Sequence, residues 1–155
     1  MTEIEKLAKA REAIHKGQKS QRILSKNYQL IGLAGEAEFE RVFGIKMDRS
    51  LKPQGDGGHD FTLPMGTIDV KTARNAYNLL RETNTKHPAD ILVLAQYNGN
   101  GKAHLVGWAY DWEMTQCPHK DFGYGIDNYY KPRDKLRPIK ELLDLKNNPM
   151  NSEKM

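Results

Sequence analysis

The chain has 155 residues, of which 38% are hydrophobic and 28% charged, with a formal net charge of +4. That length suffices for one domain with a core, and no apolar run approaches the roughly 18 residues of a membrane span. The single Cys117 excludes an internal disulfide, and the opening Met-Thr-Glu-Ile-Glu-Lys carries no apolar signal region, so the expected location is the cytoplasm.

In chain order, residues 3–17 favour a helix, with Ile4, Leu7 and Ile14 on one side and Lys/Arg on the other. Thr2 followed by Glu5 forms a capping-box pair. Residues 17–25 are polar and read as a linker. A second helix is expected from about 27 to 43, capped by Ser25 and stopped by Gly44. Its apolar stripe holds Tyr28, Ile31, Phe39, Val42 and Phe43, with Gly35 in the same stripe permitting close packing. Residues 45–52 suit a strand. Two further short strands follow, joined by a tight turn, within GDGGHDFTLPMGTIDVKTAR. Residues 74–82 read as a short helix or irregular crossover. The apolar run 89–95 suits a buried strand, Asn98-Gly99-Asn100-Gly101 a hairpin turn, and 103–110 the returning strand. Residues 111–114 look like a helix start, 123–130 like an aromatic loop, and 138–145 like a short amphipathic helix. Trp108 and Trp112 are assigned to the core. The expected division is a basic N-terminal helix and linker over 1–26, one domain over 27–145 and a frayed tail over 146–155. A mixed sheet flanked by helices, of α/β or α+β class, follows from this order.

Charge is unevenly placed. Residues 1–26 carry seven basic side chains (Lys6, Lys9, Arg11, Lys16, Lys19, Arg22, Lys26) against Glu3, Glu5 and Glu12. A second cluster sets Lys131, Arg133, Lys135, Arg137 and Lys140 against Asp134 alone. Such segments can be the footprint of a polyanion partner, though either cluster alone is more often a solvated surface.

The strand pair around residue 65 carries the chemistry. Burying one apolar face puts Phe61, Leu63, Ile68 and Val70 on the same side. Asp60, Asp69 and Lys71 then share the polar side. A turn over 63–66 sets Asp60 across from Asp69, where facing Cβ atoms lie about 4.5–5.5 Å apart. A three-residue loop with a bulge at Gly66 would break this parity, and the burial pattern favours the four-residue turn. Two carboxylates that close repel unless a cation lies between them. An acid-x-Lys triplet alone is more often a solvated strand face.

Upstream stands Gly32-Leu33-Ala34-Gly35-Glu36-Ala37-Glu38-Phe39 on the second helix. With Asp60 and Asp69-Val70-Lys71, this order resembles the PD-(D/E)XK nuclease superfamily, and within it the small Holliday-junction-resolvase-like and phage or prophage nuclease-like proteins. The resemblance covers roughly residues 27–110. It implies a restriction-endonuclease-like αβββαβ core, here with an added N-terminal basic helix. His59 stands where the family often has proline. The helical wheel sets Glu36 and Glu38 on opposite flanks of the apolar stripe, and the resemblance alone selects Glu36.

The resemblance implies Mg²⁺ or Mn²⁺ held by Asp60, Asp69, the Val70 carbonyl and Glu36, with Lys71 positioning the nucleophile or stabilising the transition state. Nucleic-acid contacts are expected from His59, Thr72 and Arg74, and from Lys131, Arg133 and Lys135. The implied activity is metal-dependent hydrolysis of phosphodiester bonds in DNA, branched or phage-related, in a bacterial or phage-infected cell. The implied assembly is a homodimer, because two strands must be cut. A non-catalytic nucleic-acid-binding module on the same fold is the alternative. A small interaction protein using its basic first helix is a third reading.

Overall fold

A computed structural model describes residues 2–15, 28–50 and 59–148. Helix α1 (Glu3–His15) begins with the expected capping box: Glu5 N–H donates to Thr2 Oγ1 and Thr2 N–H to Glu5 Oε1, both at 3.1 Å. Helix α2 (Tyr28–Phe43) stops at Gly44, whose positive φ of 70° and N–H bond to the Glu40 carbonyl make a left-handed cap. Ser25 and the linker lie outside the described residues. So do residues 51–58.

The main sheet contains β1 (Phe61–Leu63), β2 (Gly66–Ala73), β4 (Ile91–Gly99) and β5 (Lys102–Tyr110) in the order β1-β2-β4-β5. Strands β2 and β4 are parallel and the other pairs antiparallel, so the sheet is mixed. A second, antiparallel sheet has the order β3-β7-β6, from β3 (Asn78–Glu82), β6 (His119–Asp121) and β7 (Asp127–Pro132). Among the described residues, helices α3 (Asp111–Met114) and α4 (Ile139–Asn147) and a 3-10 turn (Arg133–Lys135) complete the regular elements.

Strand β4 explains the layering. Residues 91–95 are all buried, as a strand covered on both faces requires. Ile91, Val93 and Ala95 face one core with Leu33, Phe39, Phe43, Ile68 and Val70. Leu92 and Leu94 face another with Leu79, Ala109 and Met114. Helix α2 therefore covers one side of the main sheet and the second sheet the other. Helix α1 packs against α2 and buries Ala8 in the first core. The overall class is α+β with helices flanking a mixed sheet. Among the described residues no helix is long and apolar enough to cross a membrane.

Four expectations are corrected. Residues 45–50 form no strand, because side chains take the backbone groups a ladder would use. Arg11 donates to the carbonyls of Ser50 (3.0 Å) and Asp48 (2.9 Å), and Glu40 accepts the Met47 N–H at 2.6 Å. The crossover 74–82 contains strand β3 rather than a helix. Its buried positions are Leu79 and Arg81, and a charged residue inside hid the alternation. The aromatic segment near 127 is strand β7, whose residues are all half-buried and so show no two-sided pattern. Trp112 is 56% exposed, whereas Trp108 is fully buried with Nε1 donating to the Pro138 carbonyl.

Candidate functional site

The hairpin forms in the derived register. Phe61 pairs with Ile68, Thr62 with Thr67 and Leu63 with Gly66, leaving Pro64 and Met65 at the turn. Pro presets φ for the second turn position, and Gly66 takes φ +139°. Phe61, Leu63, Ile68 and Val70 are all buried. Asp60 leaves the ladder by one step: its N–H turns to the Ile68 carbonyl at 3.1 Å, so it bends instead of sitting squarely opposite Asp69. Its carboxylate returns to the same place, where Oδ2 accepts the Val70 N–H at 2.8 Å. Asp69 Oδ1 in turn lies 3.3 Å from the Asp60 N–H. The two acids are thus interlocked through each other's backbone. In a strand a residue's carbonyl leaves on the same side as its N–H, so the Val70 carbonyl also faces Asp60.

Glu36 is brought alongside by the close approach of α2 to β2. A Cβ on Gly35 would sit 1.8 Å from Thr72 Oγ1, so only glycine lets the helix come this near. Burial, with the charges of Asp60, Asp48 and Asp69 adding to it, pushes the Glu36 carboxyl up to about 8, against the pull of the Arg11 guanidinium. Burial and Asp69 push Asp60 up to about 6, opposed by the Val70 N–H, Lys71 and His59. Glu38, which the wheel left open, is held by Arg41 through bonds of 2.7 and 2.6 Å. Of the two helix carboxylates, Glu36 is the one whose protonation the charges of both aspartates influence.

Lys71 is exposed and, with Asp69, lines a cleft of about 440 Å³ between the two sheets. His59 Nδ1 lies 3.4 Å from Asp69 Oδ1 and has no hydrogen-bond partner among the described residues. Thr72, expected at nucleic acid, turns the other way: its buried hydroxyl faces Gly35 on α2. Arg74 is exposed, with its guanidinium 5.5 Å above the Tyr97 ring. Gln96 ties Arg74 to the second basic cluster, donating to the Arg74 carbonyl (3.2 Å) and accepting from Arg133 Nη1 (2.9 Å). Lys131 and Lys135 flank Arg133 on β7 and the following turn, with Lys135 exposed. Arg137 drops out of that cluster, being paired with Glu113 and Glu141.

Sequence reasoning missed Arg11, which is buried and bears on Glu36. Its signal was spacing, since residues 4, 7, 8 and 11 share one helical stripe. The Arg81–Asp111 pair in the cleft, bidentate at 2.7 and 2.9 Å, was missed too. No sequence pattern separates either partner from a surface charge: the pair is made by topology, thirty residues apart.

A hard divalent cation fits these residues in kind. Carboxylate oxygens suit Mg²⁺ or Mn²⁺, and Glu36 and Asp60 are buried within reach of other carboxylates. They are not gathered as a ready cage: among the described residues, no three His, Cys, Asp or Glu side chains are arranged to hold a metal ion. Comparison with known proteins finds no matching family model, no matching curated protein and no matching solved structure.

Proposed function

We propose that this chain is a metal-dependent endonuclease that hydrolyses phosphodiester bonds in DNA, and that α2 with the β1–β2 hairpin and β4 is a restriction-endonuclease-like core. The observation that carries the reading is Asp60 locked to β2 beside Asp69, within electrostatic reach of Glu36 and Lys71. A helix and a hairpin supply them, and burial, with neighbouring carboxylates adding to it, raises the Glu36 and Asp60 carboxyls above their ordinary range.

On this reading Asp60, Asp69, the Val70 carbonyl and Glu36 would hold Mg²⁺ or Mn²⁺. When bound there, the cation supplies an acidified water and neutralises phosphate charge. Lys71 stabilises the charge that builds on the phosphate oxygens. His59 lies beside Asp69 at the same edge, and Arg74 with Arg133 offers planar donors to a strand's phosphates. Where both strands of a duplex are cut, a homodimer goes with the reading.

The test is loss of supercoiled plasmid or branched DNA in Mg²⁺. Cleavage blocked by EDTA and by Asp69→Ala supports the proposal. The absence of a ready three-ligand arrangement favours one other reading, a nucleic-acid-binding module that does not cut. Salt-sensitive DNA binding without cleavage in Mg²⁺ or Mn²⁺ would select that module.

A further inference from the structure

We infer that the cleft beside Asp69 and Lys71 receives one unpaired nucleotide, so that the preferred substrate class is DNA with single-stranded or flap nucleotides next to the cut. The inference rests on the proposed nuclease site, and it extends that site to a base-binding pocket.

The cleft has the right content for a planar, uncharged ring. Its volume of about 440 Å³ falls within the range of roughly 300–1,000 Å³ typical of small-molecule sites. Leu80, Leu92, Pro88 and Ala89 supply apolar wall. The guanidinium of Arg81 is already committed, to Asp111 at 2.7 and 2.9 Å and to the Glu82 carbonyl at 3.1 Å. With Glu82 also on the wall, the interior does not attract a phosphate. Asn128 offers an amide donor and acceptor to a base edge.

Aromatic rings stand at the cleft without being buried in it. Tyr124 lines the cleft and is 75% exposed, so its ring is accessible to a partner that enters the cleft. Its loop is ordered: Asp121 Oδ1 accepts the N–H groups of Gly123, Tyr124 and Gly125 at 2.7, 3.0 and 3.1 Å. The neighbouring Phe122 ring is fixed edge-on to Tyr130 and carries the Lys120 ammonium 4.7 Å from its centroid. Rings held ready beside cations are what single-stranded binding uses, because every base has a π-face. Cations flank the apolar wall: Lys71 lines the cleft with Asp69, and Lys120 lies over the ring of Phe122, a lining residue. A base in the cleft thus leaves its phosphate toward Asp69 and Lys71. A base paired in a continuous duplex cannot enter.

The test uses the full chain in EDTA. The probes are a duplex with a single-stranded overhang carrying 2-aminopurine and a fully paired duplex of the same sequence. Wild type should bind the overhang probe about ten-fold more tightly than the duplex and quench its fluorescence. Tyr124→Ala should lose about ten-fold in affinity for the overhang, whereas Trp112→Ala, an exposed aromatic outside this cleft, should not. Equal affinity for both probes, or an unaffected Tyr124→Ala, overturns the inference. The same probes in Mg²⁺ separate the two readings. Binding preference without cleavage sinks the nuclease proposal alone, and cleavage of both probes without preference sinks the inference alone.

Discussion

The Val70 amide donates to the Asp60 carboxylate across the hairpin at 2.8 Å, so the first acid of the site is pinned to the strand that carries the second. β1 begins at Phe61, paired with Ile68, so the edge of β2 beyond Ile68 is open to the Asp60 side chain. One turn, Pro64-Met65, therefore sets both the register and the spacing of the acids.

The first prediction concerns pH. Glu36 and Asp60 have folded pKa values above their ordinary ones, about 8 and about 6. Their burial as neutral acids thus favours folding at low pH, and that contribution is lost as pH rises, through about 6 for Asp60 and about 8 for Glu36. In EDTA, Glu36→Gln should be more stable relative to wild type at pH 8 than at pH 5. Urea denaturation at the two pH values measures this, and a difference that is constant with pH would contradict it.

Cation binding should reverse that penalty. Mg²⁺ or Mn²⁺ should raise the thermal midpoint of wild type at pH 8 and release protons on binding, as ligands that must deprotonate require. Calorimetry with Mn²⁺ in buffers of different ionisation enthalpy reads both. Asp69→Ala should abolish the effect, and an unchanged response would remove Asp69 from the binding set.

Gly35→Ala should destabilise the fold by about 1–3 kcal/mol, because the new methyl lands on Thr72 Oγ1. Thr72→Ala removes that oxygen, which is buried with no hydrogen-bond partner among the described residues, and should recover part of the loss. A double-mutant cycle by chemical denaturation checks it, and strict additivity would show that the two residues do not share this contact.

Asp111→Ala should cost about 3–5 kcal/mol, since it strands the buried Arg81 without its bidentate carboxylate. Replacing both, as Arg81→Met with Asp111→Leu, should cost less than the single change. Equal or greater loss in the double variant, followed by urea denaturation, would refute this account of the cleft wall.

Much of the site could be read from the residues because it is local. Alternation alone placed Phe61, Leu63, Ile68 and Val70 inside, and the two-residue period carried Asp69 and Lys71 to the other face. Gly35 in an apolar stripe announced a close packing partner, though not that the partner would be Thr72. What stayed hidden was made by distant pairing. Strand β3 was masked by Arg81, whose buried charge is sensible only once Asp111 arrives from the end of β5. The choice between Glu36 and Glu38 needed Arg41 to claim Glu38. Residues 45–50 had strand-like composition, but Arg11 and Glu40 took their backbone groups first.

The central claim is tested most directly by Lys71→Ala, which changes one exposed side chain and leaves the acids in place. DNA binding in EDTA and single-turnover cleavage in Mg²⁺ are measured on the same preparation. The account predicts binding close to wild type with cleavage slowed by on the order of 100-fold or more, as for loss of a transition-state charge stabiliser. Cleavage by Lys71→Ala at the wild-type rate, or no cleavage by wild type itself in Mg²⁺ or Mn²⁺, would contradict it.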